Sequence, residues 1–311
     1  TIYTNRVSTA TTHTLLYTFG NTSGTIATGV GASVSWTPAL TLAAQIPSAT
    51  SGTCTITCQS YNGGVLTGTR TYTLTLNVPS TIVPSISSVT VEDTNSTVAT
   101  RIQAYVKTLS TLSVDITATG SYGSTVTSYR TSLDGVTYTA ASFTASKKLS
   151  ASGDMTLTVT VTDSRGRTAT YTETLTVLDY SYPSIRLFKA DRCNSDGSAA
   201  QLDGTNVRYS FEGGVVSLNN KNALVCVVYY KLASDTEWTK SESLPVTSYN
   251  LSATDKVLTQ PFDALASYDL KVRLQDYFYY VEQAVSIGTK GVIMDFLADG
   301  TGIAFGLSLI H

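Results

Sequence analysis

Apolar and polar side chains alternate along much of this chain. In "SGTCTITCQSYNGG" (51–64), Cys54, Ile56 and Cys58 fall on one side of an extended segment and threonines on the other, the pattern of a strand with one buried face. The pattern recurs in "SGDMTLTVTVTDSRG" (152–166) with Met155, Leu157 and Val159, and in "SYDLKVRLQDYF" (267–278) with Tyr268, Leu270 and Val272. Asp163 and Asp276 hold the same place at the strand end. A second match links "TRTYTLTLNVPSTIVPSI" (69–86) to "RTATYTETLTVLDYSYPSI" (167–185), each a final strand followed by a short proline-bearing linker, so Pro84 and Pro183 read as boundaries. A third match pairs "SYRTSLDGVTYT" (128–139) with "YYKLASDTEWTK" (229–240), two hairpins turning at Asp134–Gly135 and Ser234–Asp235. Tyr138 and Trp238 share one slot there and are expected near the core; the first repeat has Trp36 instead, without the hairpin. Long helical periodicity is missing, and "LTLAAQIPSA" (40–49) predicts one short helical turn between strands.

A period of about 100 residues, with short strands separated by turns, predicts an all-β chain. The expected architecture is a tandem array of three immunoglobulin/fibronectin-like β-sandwiches at residues 1–83, 84–182 and 183–288, followed by a C-terminal apolar β-hairpin at 289–311. Short, stiff linkers make such an array a rod that holds two ends apart.

Composition sharpens this picture. The chain has 311 residues, too many for one small domain, and 42% hydrophobic residues, enough for several cores. Only 14% are charged, and Thr and Ser supply the polarity, which favours strands over helices. The net charge of −2 and the lack of any Lys/Arg run exclude nucleic acid as an expected partner. No apolar stretch reaches the roughly 18–20 residues of a membrane span, and no basic-then-apolar leader follows Thr1.

Candidate chemistry is sparse. Cys54 and Cys58 lie roughly 13 Å apart along one strand. A disulfide needs Cα atoms within about 7 Å, so these two read as small core residues, as does Cys226 in "ALVCVVYY". His13 and His311 are the only histidines; no Cys/His spacing suggests zinc, and His13 reads as a strand-surface residue without a nucleophile motif beside it. Carboxylates are scattered singly, Asp163, Asp179 and Asp276 as turn and boundary residues. "DRCNSDG" (191–197) and "QLDGTN" (201–206) read as a turn-rich strand connection, with calcium as the alternative. No catalytic, metal or cofactor site is expected. The most aromatic run, "DYFYYVE" (276–282), offers Tyr277, Phe278, Tyr279 and Tyr280 either as strand packing or as a contact for a glycan or partner.

The final segment, "VIMDFLADGTGIAFGLSLIH" (292–311), is apolar on both faces of a predicted hairpin turning at Asp299–Gly300. An isolated hairpin is marginal in water. Ile293, Met294, Phe296, Leu297, Ile303 and Phe305 are therefore expected to be covered, by sister copies around a symmetry axis or by docking onto the third sandwich.

Three stretches carry a family resemblance: residues 12–64, "RCNSDGSAAQLDGT" (192–205) and "MDFLADGTGIAFG" (294–306). Together they resemble tail and minor structural proteins of siphoviruses, the long-tailed bacteriophages, of Gram-positive hosts. The resemblance implies a non-enzymatic tail structural or fibre protein, a rod-like spacer involved in host-cell attachment, made in the bacterial cytoplasm and carried in the virion. It implies other tail proteins as partners, possession of no catalytic residues, and a homo-oligomer, the trimer foremost; a host surface glycan is the further expected contact. In that family the last segment commonly continues into a lysine-bearing stretch; here "LSLIH" follows Gly306, which implies a shaft without a receptor-binding tip. The alternatives are a bacterial cell-surface adhesin or a glycan-binding immunoglobulin-like module.

Overall fold

The computed structural model describes residues 1–200 and 204–289, and the backbone of 293–296 and 303–306. It is an all-β chain of tandem sandwiches, with turns where the alternation breaks.

The first module has β1 (Ile2–Tyr3), β2 (Thr11–Phe19), β3 (Thr22–Val30), β4 (Ser33–Val34), a 3-10 turn at Leu40–Gln45, β5 (Ser51–Asn62) and β6 (Val65–Asn77). Its sheet runs β3-β2-β5-β6, and β1 pairs with β4. Gly63 and Gly64, with φ of 57° and 83°, make the two-residue turn between β5 and β6, which requires left-handed backbone at both positions. Registry stacks cross-strand rows on one face: Phe19–Cys54–Leu74, Tyr17–Ile56–Tyr72, Leu15–Cys58–Arg70 and His13–Ser60–Gly68. The face thus grades from apolar to polar. The layer opposite this sheet is small, and Leu15, Phe19, Cys54, Ile56 and Leu42 form the core. One expectation is corrected here. His13 is 4% exposed and therefore buried, because its row lies on the inward face of β2.

The second module has β7 (Ser85–Asp93), a π-helical turn at Val98–Ile102, β8 (Tyr105–Val106), β9 (Leu112–Thr119), β10 (Val126–Leu133), β11 (Val136–Tyr138), β12 (Ser142–Thr144), β13 (Gly153–Asp163) and β14 (Thr168–Leu178). One sheet runs β12-β9-β7; the other contains β11-β10-β13-β14 in that order. Val114, Leu133, Leu157, Val159 and Leu175 are buried between them. Asp134 and Gly135, at φ 48° and 73°, form the expected hairpin turn. Tyr138 is half-buried and stacks on Phe143 at 4.2 Å.

The third module has β15 (Ser184–Cys193), β16 (Asn206–Gly214), β17 (Val225–Leu232), β18 (Thr239–Ser243), β19 (Asn250–Val257), β20 (Tyr268–Gln275) and β21 (Tyr280–Ile287). Its sheets run β15-β16-β19 and β18-β17-β20-β21, enclosing Tyr209, Phe211, Phe262, Leu270 and Leu274. Trp238 lies outside this core, half-buried, with the Lys231 and Lys271 ammonium groups 5.4 Å and 4.6 Å from its ring centroid. The repeat alignment holds on the central strands: Ile56, Leu157 and Leu270 are all buried. Finally β22 (Ile293–Phe296) pairs antiparallel with β23 (Ile303–Gly306), Ile293 opposite Gly306 and Phe296 opposite Ile303.

By compactness the chain forms two units, Thr1–Asn95 with Lys107–Val177, and Ser96–Val106 with Leu178–His311. The strands β7 and β15 start directly after Pro84 and Pro183.

Candidate functional site

In the first unit, β13 ends in a tight loop built on Asp163. Its Oδ1 accepts hydrogen bonds from the backbone N–H groups of Arg165 (3.0 Å) and Arg167 (2.9 Å), and Gly166 supplies the left-handed residue at φ 77°. The loop projects two guanidinium groups. Arg165 is buried, and its guanidinium donates only to carbonyl oxygens among the bonds seen: Ala43 (2.9 Å), Ile46 (3.3 Å), Ser121 (2.7 Å) and Tyr122 (2.6 Å). Ala43 lies in the 3-10 turn of the first module, and Ile46 caps it; each carbonyl also accepts a backbone N–H, from Ile46 (3.0 Å) and Ala49 (3.3 Å), so the planar donor fork adds a second bond to both at that short helical end. Arg167 donates to Val78, Pro79 and Ile82, three carbonyls of the linker between modules one and two, at 2.6, 2.5 and 2.7 Å.

In the second unit the corresponding loop after β20 is built on Asp276. Its Oδ1 accepts from the N–H groups of Phe278 (2.7 Å) and Tyr279 (2.8 Å). Its Oδ2 accepts from the Tyr180 hydroxyl (2.9 Å) and Asn222 Nδ2 (3.3 Å). Tyr180 belongs to the linker preceding the third module, and its ring meets Tyr182, Phe278 and Tyr279 with centroids 6.0, 5.7 and 6.4 Å away. Tyr182 stands edge-on to Tyr279 at 4.6 Å. Burial pushes the Tyr180 phenol above its ordinary pKa, and the hydrogen bond to Asp276 pushes it the same way.

This geometry divides the predicted aromatic run. Phe278 and Tyr279 grip the linker, whereas Tyr277 (43% exposed) and Tyr280 (57%) face outward. The Arg101 guanidinium sits 5.8 Å from the Tyr277 centroid and that of Arg273 3.9 Å from Tyr280. Sequence reasoning missed Tyr182, 61% exposed and part of the same cluster; the signal was the aromatic pair in "DYSYPS" just before Pro183. It also missed Arg165 and Arg167, whose targets are remote in sequence.

The other predicted positions are less informative. Of the terminal hairpin, Ile293, Met294, Phe296, Ile303 and Phe305 lie on the paired strands, while Leu297 and the Asp299–Gly300 turn lie outside the described residues. "DRCNSDG" ends β15 and turns at Asn194–Gly197, with Asp196 Oδ1 accepting from Ser198 N (2.9 Å) and Oγ (2.6 Å); part of "QLDGTN" lies outside the described residues. Among the described residues no group of three or more His, Cys, Asp or Glu side chains could hold a metal, and no helix is long and apolar enough to cross a membrane.

Residues 1–306 match the model of a family described as "Siphovirus protein of unknown function (DUF859)". The chain belongs to that siphovirus family. No curated protein matches this phage chain. Solved structures similar to it include a Ca2+-stabilised adhesin with which an Antarctic bacterium binds ice (15% identity, 96% of this chain and 72% of that one, TM-score 0.37). Others are the three N-terminal domains of the highly immunogenic outer capsid protein of bacteriophage RB49 (14%, 91% and 89%, 0.33) and two fibronectin type III domains of chicken tenascin (12%, 66% and 99%, 0.24).

Proposed function

We propose that this siphovirus protein is a non-enzymatic structural component of the phage tail, a stiff spacer that takes part in attachment to the host cell. The observation that carries the reading is the repeated linker grip. Arg167 ties the carbonyls of Val78, Pro79 and Ile82, and Asp276 with its aromatic neighbours ties Tyr180 and Tyr182. A linker whose backbone and side chains are bonded to a neighbouring module resists bending, which is what a spacer needs. In this reading the modules span 1–83, 84–182 and 183–288. The 289–311 segment joins copies through Ile293, Met294, Phe296, Leu297, Ile303 and Phe305, and other tail proteins are the remaining partners.

A second reading is favoured by the outward tyrosines. Tyr277 and Tyr280, each beside a guanidinium, suit stacking against host-surface sugar rings. Antibody labelling of intact virions, viewed by electron microscopy, tests the placement: label on the tail is expected, and label confined to the capsid overturns it.

A further inference from the structure

We propose that the first module carries a binding site for a phosphorylated sugar, in a cavity between the polar end of its main sheet and the β1 segment. The cavity measures about 590 Å³, within the range of small-ligand sites. It is independent of the attachment reading and of the tyrosines on the third module.

Three observations fix the chemistry. First, the floor is graded by the strand registry. Leu15 and Ile56 give an apolar base, Arg70 ends the row that Leu15 begins, and the next row brings Ser60 and His13 to the same face. Second, His13 is buried but incompletely bonded. Its Nδ1 lies 3.0 Å from Ser60 Oγ and 3.7 Å from Cys58 Sγ, while Nε2 has no partner among the described residues. Buried polar atoms are normally satisfied, so a ligand oxygen is a fitting partner. Third, the charge has one sign. Arg70 is exposed, and no hydrogen bond or ion pair engages it among the described residues; no carboxylate lines the cavity. A free guanidinium, an imidazole and a hydroxyl around one cavity select an anion.

The remaining walls select a sugar as its carrier. Tyr72 is 64% exposed and shares a row with Ile56, so its ring forms an edge platform of the kind on which a pyranose face stacks. Gly68 closes the His13–Ser60 row without a side chain, and a Cβ there would meet nothing within 4 Å, which leaves that end open. Burial pushes the Cys58 thiol up, so the Cys58–His13 contact is not that of an activated thiolate and the site binds rather than reacts.

The test is a titration of the full chain with millimolar glucose 1-phosphate, followed by the NMR signals of its two imidazoles. The His13 ring signals should shift saturably while those of His311 stay fixed. Glucose alone and inorganic phosphate alone should each bind more weakly. Arg70→Ala and Tyr72→Ala, both exposed and expected to fold, should each weaken binding about tenfold. An unmoved His13 ring overturns the proposal. So does an equal response to inorganic phosphate, or one unaltered by Arg70→Ala, which would mark an adventitious anion only. A His13 shift that appears on concentrating the protein without sugar would also overturn it, by assigning the cavity to a second copy.

Discussion

Asp163 and Asp276 occupy the same position of the repeat, yet they hold their linkers differently. In both, Oδ1 caps the loop by accepting two backbone N–H groups. The second oxygen separates them. Oδ2 of Asp276 receives the Tyr180 hydroxyl and the Asn222 amide, whereas Oδ2 of Asp163 is buried without a partner among the described residues. In the first unit the grip has passed to the loop side chains Arg165 and Arg167, which bond carbonyls. In the second the carboxylate itself reaches the linker, and aromatic rings complete the contact. The repeat preserves a loop-capping carboxylate; the chemistry of the grip is free to vary around it.

That contrast can be broken most severely at Asp276. Asp276→Ala strips two backbone donors, a phenol and an amide of their acceptor, and should destabilise the second unit by about 3 kcal/mol. The thermal transition of that unit should fall by roughly 6–12 °C in calorimetry. Arg165→Ala leaves four carbonyls with a lost donor and should cost the first unit about 2 kcal/mol, read as a lower denaturant midpoint. Asp163→Asn should cost under about 1 kcal/mol, because the capping oxygen can remain and the other oxygen accepts nothing among the described residues, while Asp276→Asn should cost more.

Titration sharpens the same difference. Because the Tyr180 pKa is raised on folding, the folded state holds that proton more tightly than the unfolded chain does. Its contribution is complete below the ordinary tyrosine value of about 10 and is lost as pH rises above it. The second unit should therefore lose stability in alkali, and Tyr180→Phe should remove part of that loss. A flat stability profile through this range would oppose the assignment. Tyr209, raised by burial and by its bond to Glu242, and the Cys193 and Cys226 thiols, raised by burial, act in the same direction.

The strands of this fold were legible in the sequence because their signal is local. Alternation placed the central strands, and Asp134–Gly135 announced a turn whose left-handed geometry demands such residues. The single helical turn at Leu40–Gln45 was equally local. The π-helical turn was not foreseen, although Val98, Ile102 and Val106 stand four apart and are all buried. The grips were invisible for a different reason. Arg165 meets Ala43 across 122 residues and Tyr180 meets Asp276 across 96, and no periodicity encodes such pairings. His13 was misplaced because threonines surround it, and a threonine-rich strand gives little contrast between its two faces.

The most direct test of the gripped linker is a double-mutant cycle between Asp276→Asn and Tyr180→Phe, read by denaturant unfolding of the full chain. Tyr180 and Asp276 acting as one bonded unit predict a coupling of at least about 1 kcal/mol between the two changes. Strictly additive effects would contradict it.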